Sequence, residues 1–150
     1  MSNFKSIKSV NKLLVEDNLA DIRLTREVFN GGKIHNKLNV VMDGEEALLY
    51  LRKSGTYANA ETPDLVLLDL NLPKKDGQEV LADIKTDKAL KSIPIIILTT
   101  SGAEQDIMNT YAHHANCYIV KPIDLKQFVK VIRSIEEFWF TIVKLPQKED

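Results

Sequence analysis

The sequence predicts an α/β fold, a doubly wound five-stranded parallel sheet with helices on both faces. Short apolar runs alternate with amphipathic stretches along the chain. The runs Leu65-Val66-Leu67-Leu68 and Ile95-Ile96-Ile97-Leu98 are apolar at consecutive positions, as strands covered on both faces must be. Polar, chemistry-bearing residues also recur where such runs end: Glu16 and Asp17, Asp69, Thr99 and Lys121.

The elements follow in order. Strands are predicted over Lys12–Val15, Leu38–Met42, Leu65–Asp69, Ile95–Thr99 and Asn116–Val120. Between and after them, helical spacing covers Ala20–Phe29, Glu45–Lys53, Gln78–Lys85, Ala103–Ala112 and Leu125–Val143. The second strand is the least uniform, which places it nearer an edge. Asp43 with Glu46, and Asp124 with Gln127, have the spacing of an N-cap and its capping-box partner. Gly31-Gly32 suits the end of the first helix. The stretch Ser54–Pro63, rich in turn residues, is longer than a usual connection. It reads as a surface loop, with a partner-binding loop as the sharper alternative.

Repeated βα units with right-handed crossovers put all the strand C-termini on one edge. Ligands of such sheets bind outside those ends. The five side chains named above therefore converge on one place.

Composition narrows the classes. A chain of 150 residues has the size of one domain and can bury a real core. Apolar residues make up 44% and charged residues 27%, as in ordinary globular proteins. The net charge of -1 offers no electrostatic case for nucleic acid or an anionic membrane. The first eight residues lack the apolar core of a signal peptide, and no run approaches the ~18 residues of a membrane span. The lone cysteine, Cys117, sits in an apolar run and reads as a buried thiol. A cytoplasmic protein is the expectation.

The acid cluster carries the chemistry. Glu16-Asp17 alone is a weak signal, since acid pairs after strands often cap helices. Asp69 is stronger, because a carboxylate ending an apolar strand is costly unless exposed or paired. Three carboxylates brought together repel, and a cation between them relieves the repulsion. Hard oxygen ligands without a His or Cys cluster favour Mg²⁺, which keeps waters that a phosphoryl oxygen can replace. One carboxylate could also attack phosphorus and form an acyl phosphate. Lys121 would neutralise charge on the transferring group and Thr99 would hydrogen-bond it.

Those residues stand in motifs that closely resemble a known family. Leu14-Val15-Glu16-Asp17, Leu67-Leu68-Asp69-Leu70-Asn71-Leu72-Pro73 with Asp76-Gly77, Ile97-Leu98-Thr99-Thr100 and Tyr118-Ile119-Val120-Lys121-Pro122 resemble the receiver domains of two-component response regulators. The likeness runs from about Asn11 to the end of the chain. It implies the flavodoxin-like (βα)5 fold with strand order 2-1-3-4-5. It also implies that Asp69 accepts a phosphoryl group from a sensor histidine kinase, or from small donors by self-phosphorylation, followed by autodephosphorylation. Asp17, Asp69 and the backbone carbonyl of Asn71 would ligate Mg²⁺, with Glu16 acting directly or through water. Thr99 and Lys121 would hold the phosphoryl oxygens. Thr99 and Tyr118 would act as the switch that reshapes the face formed by the fourth helix, fifth strand and fifth helix. Thr100 is bulkier than the family's common residue there, and slow loss of the acyl phosphate is the expectation.

Within the family, the chain looks most like the single-domain regulators that serve cyanobacterial and bacterial phytochromes. The segment Asp69–Gly77, the triplet Thr99-Thr100-Ser101, the long loop before the third strand and the tail Glu137-Phe138-Trp139-Phe140 carry that likeness. Leu125, Phe128, Val129, Ile132, Ile135, Trp139 and Ile142 form one helical stripe, while Val131, Phe138, Phe140 and Val143 fall off it. A helix apolar on two faces needs a second partner, either a larger local core where it overhangs the sheet or a homodimer surface, for which Phe138, Trp139 and Phe140 are the candidates. Residues 144–150 are too few to fold, so no output domain is expected and residues 1–150 read as a single receiver domain.

Other classes fit less well. A flavin or nucleotide binder needs an amide-rich loop where Glu16-Asp17-Asn18 stands. An aspartyl-phosphate phosphatase needs two carboxylates spaced by one residue after the first strand. His113-His114 point about 100° apart on a helix and cannot easily share a metal. A pseudo-receiver that acts only as an interaction or dimerisation module remains the alternative, and the intact Asp69, Thr99 and Lys121 argue against it.

Overall fold

Parallel pairing of strand β1, Val10–Val15, with β2, Asn36–Val41, on one side and with β3, Leu65–Leu68, on the other starts the sheet. The computed structural model describes residues 10–30, 36–99 and 117–120 and positions 126, 130, 133 and 134. Strand β4, Ile95–Thr99, pairs with β3, and β5, Cys117–Val120, pairs with β4, all in parallel. The order is β2-β1-β3-β4-β5, as expected, with β2 on an edge.

The sheet is a two-sided core because side chains alternate across it. Leu13, Val15, Val66, Leu68, Ile95 and Ile97 face one layer, with helices α2, Gly44–Leu51, and α3, Gly77–Thr86. Leu14, Leu65, Leu67, Ile96 and Leu98 face the other, against Ile22, Val28 and Phe29 of α1, Leu19–Asn30. The consecutive apolar runs of β3 and β4 are thereby explained, since both faces are covered. Lys12 is an exception that sequence reading did not single out. It is fully buried in β1, and its ammonium lies 4.3 Å from the centroid of the Phe29 ring, a cation–π contact.

Helix ends differ in detail from expectation. Asp43 does cap α2, accepting the Glu46 N–H at 2.8 Å. Glu46 does not complete the predicted capping box. Its carboxylate instead accepts the hydroxyl of Tyr57, in a short 3₁₀ turn at Gly55–Tyr57. A capping box does form at α3, where the Gln78 N–H donates to Asp76 at 3.0 Å and the Asp76 N–H donates to Glu79 at 3.3 Å. The spacing of Asp76 and Glu79 in the sequence is that of a capping box.

Helix α2 ends two residues before the predicted Lys53, which adopts φ 55°. The N–H of Ser54 donates to the Leu49 carbonyl and that of Lys53 to Tyr50, which closes the helix as a Schellman motif.

The loop before β3 is therefore tied down. Besides the bond to Glu46, the Tyr57 ring meets that of buried Tyr50 at 5.2 Å. Hydrogen bonding to Glu46, then burial, holds the Tyr57 hydroxyl up at about 12. The predicted fourth helix and its histidines lie outside the described residues. Of the predicted fifth helix, the four described positions, 126, 130, 133 and 134, are helical and exposed, off the predicted apolar stripe.

Candidate functional site

Sheet register builds the site. The Glu16 N–H donates to the Val41 carbonyl and the Asp69 N–H to the Val15 carbonyl, both at 3.0 Å, so these acids continue the strand pairing past the last ladder residues. One ligand atom from each of Glu16, Asp17 and Asp69 then lies within 4.8 Å of the others. Glu16 and Asp69 are buried, at 2% and 6% exposure, while Asp17 faces solvent. Among the described residues this is the one cluster of three or more His, Cys, Asp or Glu side chains arranged to hold a metal ion.

Local hydrogen bonds hold the acids. Glu16 Oε2 accepts the Asn18 N–H at 3.2 Å, and Asn18 Oδ1 accepts the Asp21 N–H at 3.0 Å, capping α1. Asp69 Oδ1 accepts the Asn71 N–H at 3.1 Å, a turn that draws Asn71 back beside the acid. The donor set fits Mg²⁺ by its chemistry: hard carboxylate oxygens, two of them buried together, with an exposed third leaving a side open.

Between β3 and α3, the chain makes a compact loop. The N–H of Leu72 and that of Gly77 both reach the Leu70 carbonyl, at 3.1 and 3.0 Å. Lys75 N–H donates to Pro73 at 2.7 Å across a γ-turn centred on Lys74, which adopts φ 66°. Gly77 is required by clearance: a Cβ there would lie 2.4 Å from the Asp69 carbonyl oxygen.

The remaining predicted residues stand as follows. The backbone of Thr99 ends β4 and pairs with Val120, the residue before Lys121. Tyr118 is half-buried against the α2–α3 core layer. Lys121, Thr100 and Phe138, Trp139 and Phe140 lie outside the described residues.

Comparison with known proteins agrees with this geometry. The family model for the response regulator receiver domain matches residues 13–133. Response regulator Rcp1 of Synechocystis sp. is 48% identical over 134 residues, 89% of this chain and 91% of that protein. The crystal structure of the phosphorylated cyanobacterial phytochrome response regulator RcpA is 51% identical, covering 93% of this chain and 100% of that one, with TM-score 0.87. The Mn²⁺-bound form of Rcp1 is 47% identical, covering 92% and 99%, with TM-score 0.85. Strand order, an acid cluster at the strand ends and a family match across most of the sequence lead to one conclusion: this chain belongs to the response regulator receiver domain family.

Proposed function

We propose that this protein is a Mg²⁺-dependent phosphoacceptor switch with Asp69 as its acceptor. The observation that carries the reading is the acid cluster, with a buried Asp69 within 4.8 Å of Glu16 and Asp17 at the open end of the sheet. An Asp69 carboxylate oxygen attacks the phosphorus of a phosphohistidine on a sensor histidine kinase. A P–O bond forms, the P–N bond breaks, and the histidine nitrogen leaves with its electron pair. Small acyl phosphates serve as alternative donors, with a carboxylate leaving group.

Glu16, Asp17, Asp69 and the Asn71 backbone carbonyl would hold the metal. When bound, Mg²⁺ neutralises charge on the transferring phosphoryl group. The Asn71 N–H bond orients the Asp69 carboxylate. Thr99 and Lys121 hold phosphoryl oxygens, and Tyr118, packed at the core edge, turns with Thr99 to pass the change to the β5 face. The protein is no enzyme in the turnover sense; it carries one phosphoryl group and hydrolyses it slowly.

The upstream kinase in this reading is a phytochrome-type sensor. Support comes from the likeness to RcpA and Rcp1 along nearly their whole lengths. A homodimer forms through the face containing β5, where apolar Val120 is 40% exposed, with Phe138, Trp139 and Phe140 as the sequence's candidates for that surface. The cytoplasm is where such a kinase delivers its phosphoryl group, and among the described residues no helix is long and apolar enough to cross a membrane.

The deciding experiment mixes the protein with Mg²⁺ and a small acyl-phosphate donor and records intact mass, with Asp69→Asn alongside. Gain of one phosphoryl group in the parent alone, abolished by EDTA, supports the reading. No gain from the donor or from a cognate kinase overturns it in favour of an interaction module. A concentration-independent monomer mass would remove the homodimer.

A further inference from the structure

The loop that carries Asn71 is wedged between two glycines. On one side, a Cβ at Gly77 would lie 2.4 Å from the Asp69 carbonyl oxygen and 2.5 Å from Leu70 Cα. On the other, a Cβ at Gly44 would lie 2.1 Å from the Lys75 carbonyl oxygen and 2.8 Å from Lys75 Cβ. Carbon and carbonyl oxygen in contact ordinarily keep roughly 3.3 Å or more. The obstructing oxygens at both glycines are backbone atoms, so no rotamer change relieves the overlap.

Gly44 is the first residue of α2 and is not one of the clustered acids. Its N–H points at the Pro73 carbonyl, 3.4 Å away, and its neighbour Asp43 pairs with Lys74 at 3.7 Å. The N-terminus of α2 is thus a backstop for residues 73–75, the outer half of the loop. The inner half, Leu70 to Leu72, is folded on the Leu70 carbonyl, which also receives Gly77. Lys75 joins Asn71 through Leu72, Pro73 and Lys74, a short path whose turns are closed on the Leu70 and Pro73 carbonyls.

We propose that Gly44 is a positioning residue for the metal site: its missing side chain seats α2 against the Lys75 carbonyl and so sets the place of the Asn71 carbonyl. The proposal rests on reading Asn71 as a ligand in a Mg²⁺-dependent phosphoacceptor site. Gly44→Ala pushes the loop outward, weakening metal binding without altering a ligand or the Asp69 nucleophile.

The test titrates the full chain with Mg²⁺ alone by calorimetry, for parent and Gly44→Ala. It then measures phosphorylation from a small acyl phosphate across Mg²⁺ concentrations. The variant is expected to bind Mg²⁺ about tenfold more weakly, the usual scale for disturbing a ligand's support. Its phosphorylation rate at saturating Mg²⁺ stays within about twofold of the parent, the split that a general loss of fold would not produce. Equal Mg²⁺ affinity in a folded variant, or a rate loss that saturating Mg²⁺ does not restore, overturns the proposal.

If Gly44→Ala does not fold, as judged by circular dichroism, Lys74→Met decides. Removing that positive charge should tighten Mg²⁺ binding by electrostatics alone. Loosening the backstop weakens it, so weaker binding supports the proposal and equal or tighter binding overturns it. A parent that binds no Mg²⁺ overturns the functional reading itself, and with it this one. A parent that binds alongside a variant that binds equally overturns only the role of Gly44.

Discussion

The main-chain N–H of Asp69 donates to the carbonyl of Val15 at 3.0 Å, one step beyond the last β1–β3 pair, Val15 with Leu68. That bond places Asp69 beside the Glu16-Asp17 pair that follows Val15. Because side chains alternate along a strand, a slip of one residue would send Asp69 to the other face and dissolve the cluster.

Carboxylates brought together repel, and a cation among them relieves the repulsion. Asp17→Asn relieves repulsion among three carboxylates within 4.8 Å, so the metal-free protein should melt a few degrees higher. Saturating Mg²⁺ should raise the parent's midpoint, by about 2.7 kcal/mol of stability at a hundredfold excess over Kd, and leave the variant nearly unmoved. Thermal melts of both, with and without Mg²⁺, check this. A variant that melts lower without metal would contradict the repulsion.

Lys53 closes α2 in the left-handed region at φ 55° without being glycine. Lys53→Gly removes the Cβ penalty at a modest cost in unfolded-chain entropy. Urea denaturation should find the variant more stable by about 0.5 to 1 kcal/mol.

The Tyr57–Glu46 bond predicts a pH signature. The Tyr57 hydroxyl titrates near 12 in the folded protein, against 10.0 for an unperturbed tyrosine, so the folded state binds this proton more tightly. Its contribution is full below pH 10 and is lost as pH rises toward 12. Tyr57→Phe should cost roughly 1.5 kcal/mol at pH 8, the scale of a hydrogen bond to a charged group. The gap between parent and variant should close above pH 10, as denaturation curves at several alkaline pH values would record. A gap constant with pH would mean the bond contributes nothing.

Two leucines separate core from surface. Leu81 is fully buried in α3, and Leu81→Ala should cost about 2 to 5 kcal/mol. Leu49 on α2 is 44% exposed, and Leu49→Ala should stay within about 0.5 kcal/mol at neutral pH. Chemical denaturation of the pair ranks them.

Fold class and the acid cluster are legible in the residues themselves, and strand order follows from the resemblance to receiver domains. The reason lies in β3 and β4: a strand covered on both faces must be apolar at every position, and such runs are rare enough to read directly. Glu16, Asp17 and Asp69 were legible because acids that end apolar runs are costly without a purpose. Element ends were less so. Glu46 looked like a capping-box partner, but a tyrosine eleven residues away won its carboxylate.

By itself, then, the sequence determined the doubly wound sheet and the acids at one edge, because periodicity and strand-end chemistry are local properties of the chain, and its motifs carried the resemblance to the family. Only the tertiary structure decided that Lys12 is buried over Phe29, that Tyr57 bonds Glu46, and that Gly44 and Gly77 clear the backbone on either side of the Asn71 loop. Those depend on which backbones approach within a few ångströms across long separations in sequence. A residue's identity carries no record of its distant neighbour.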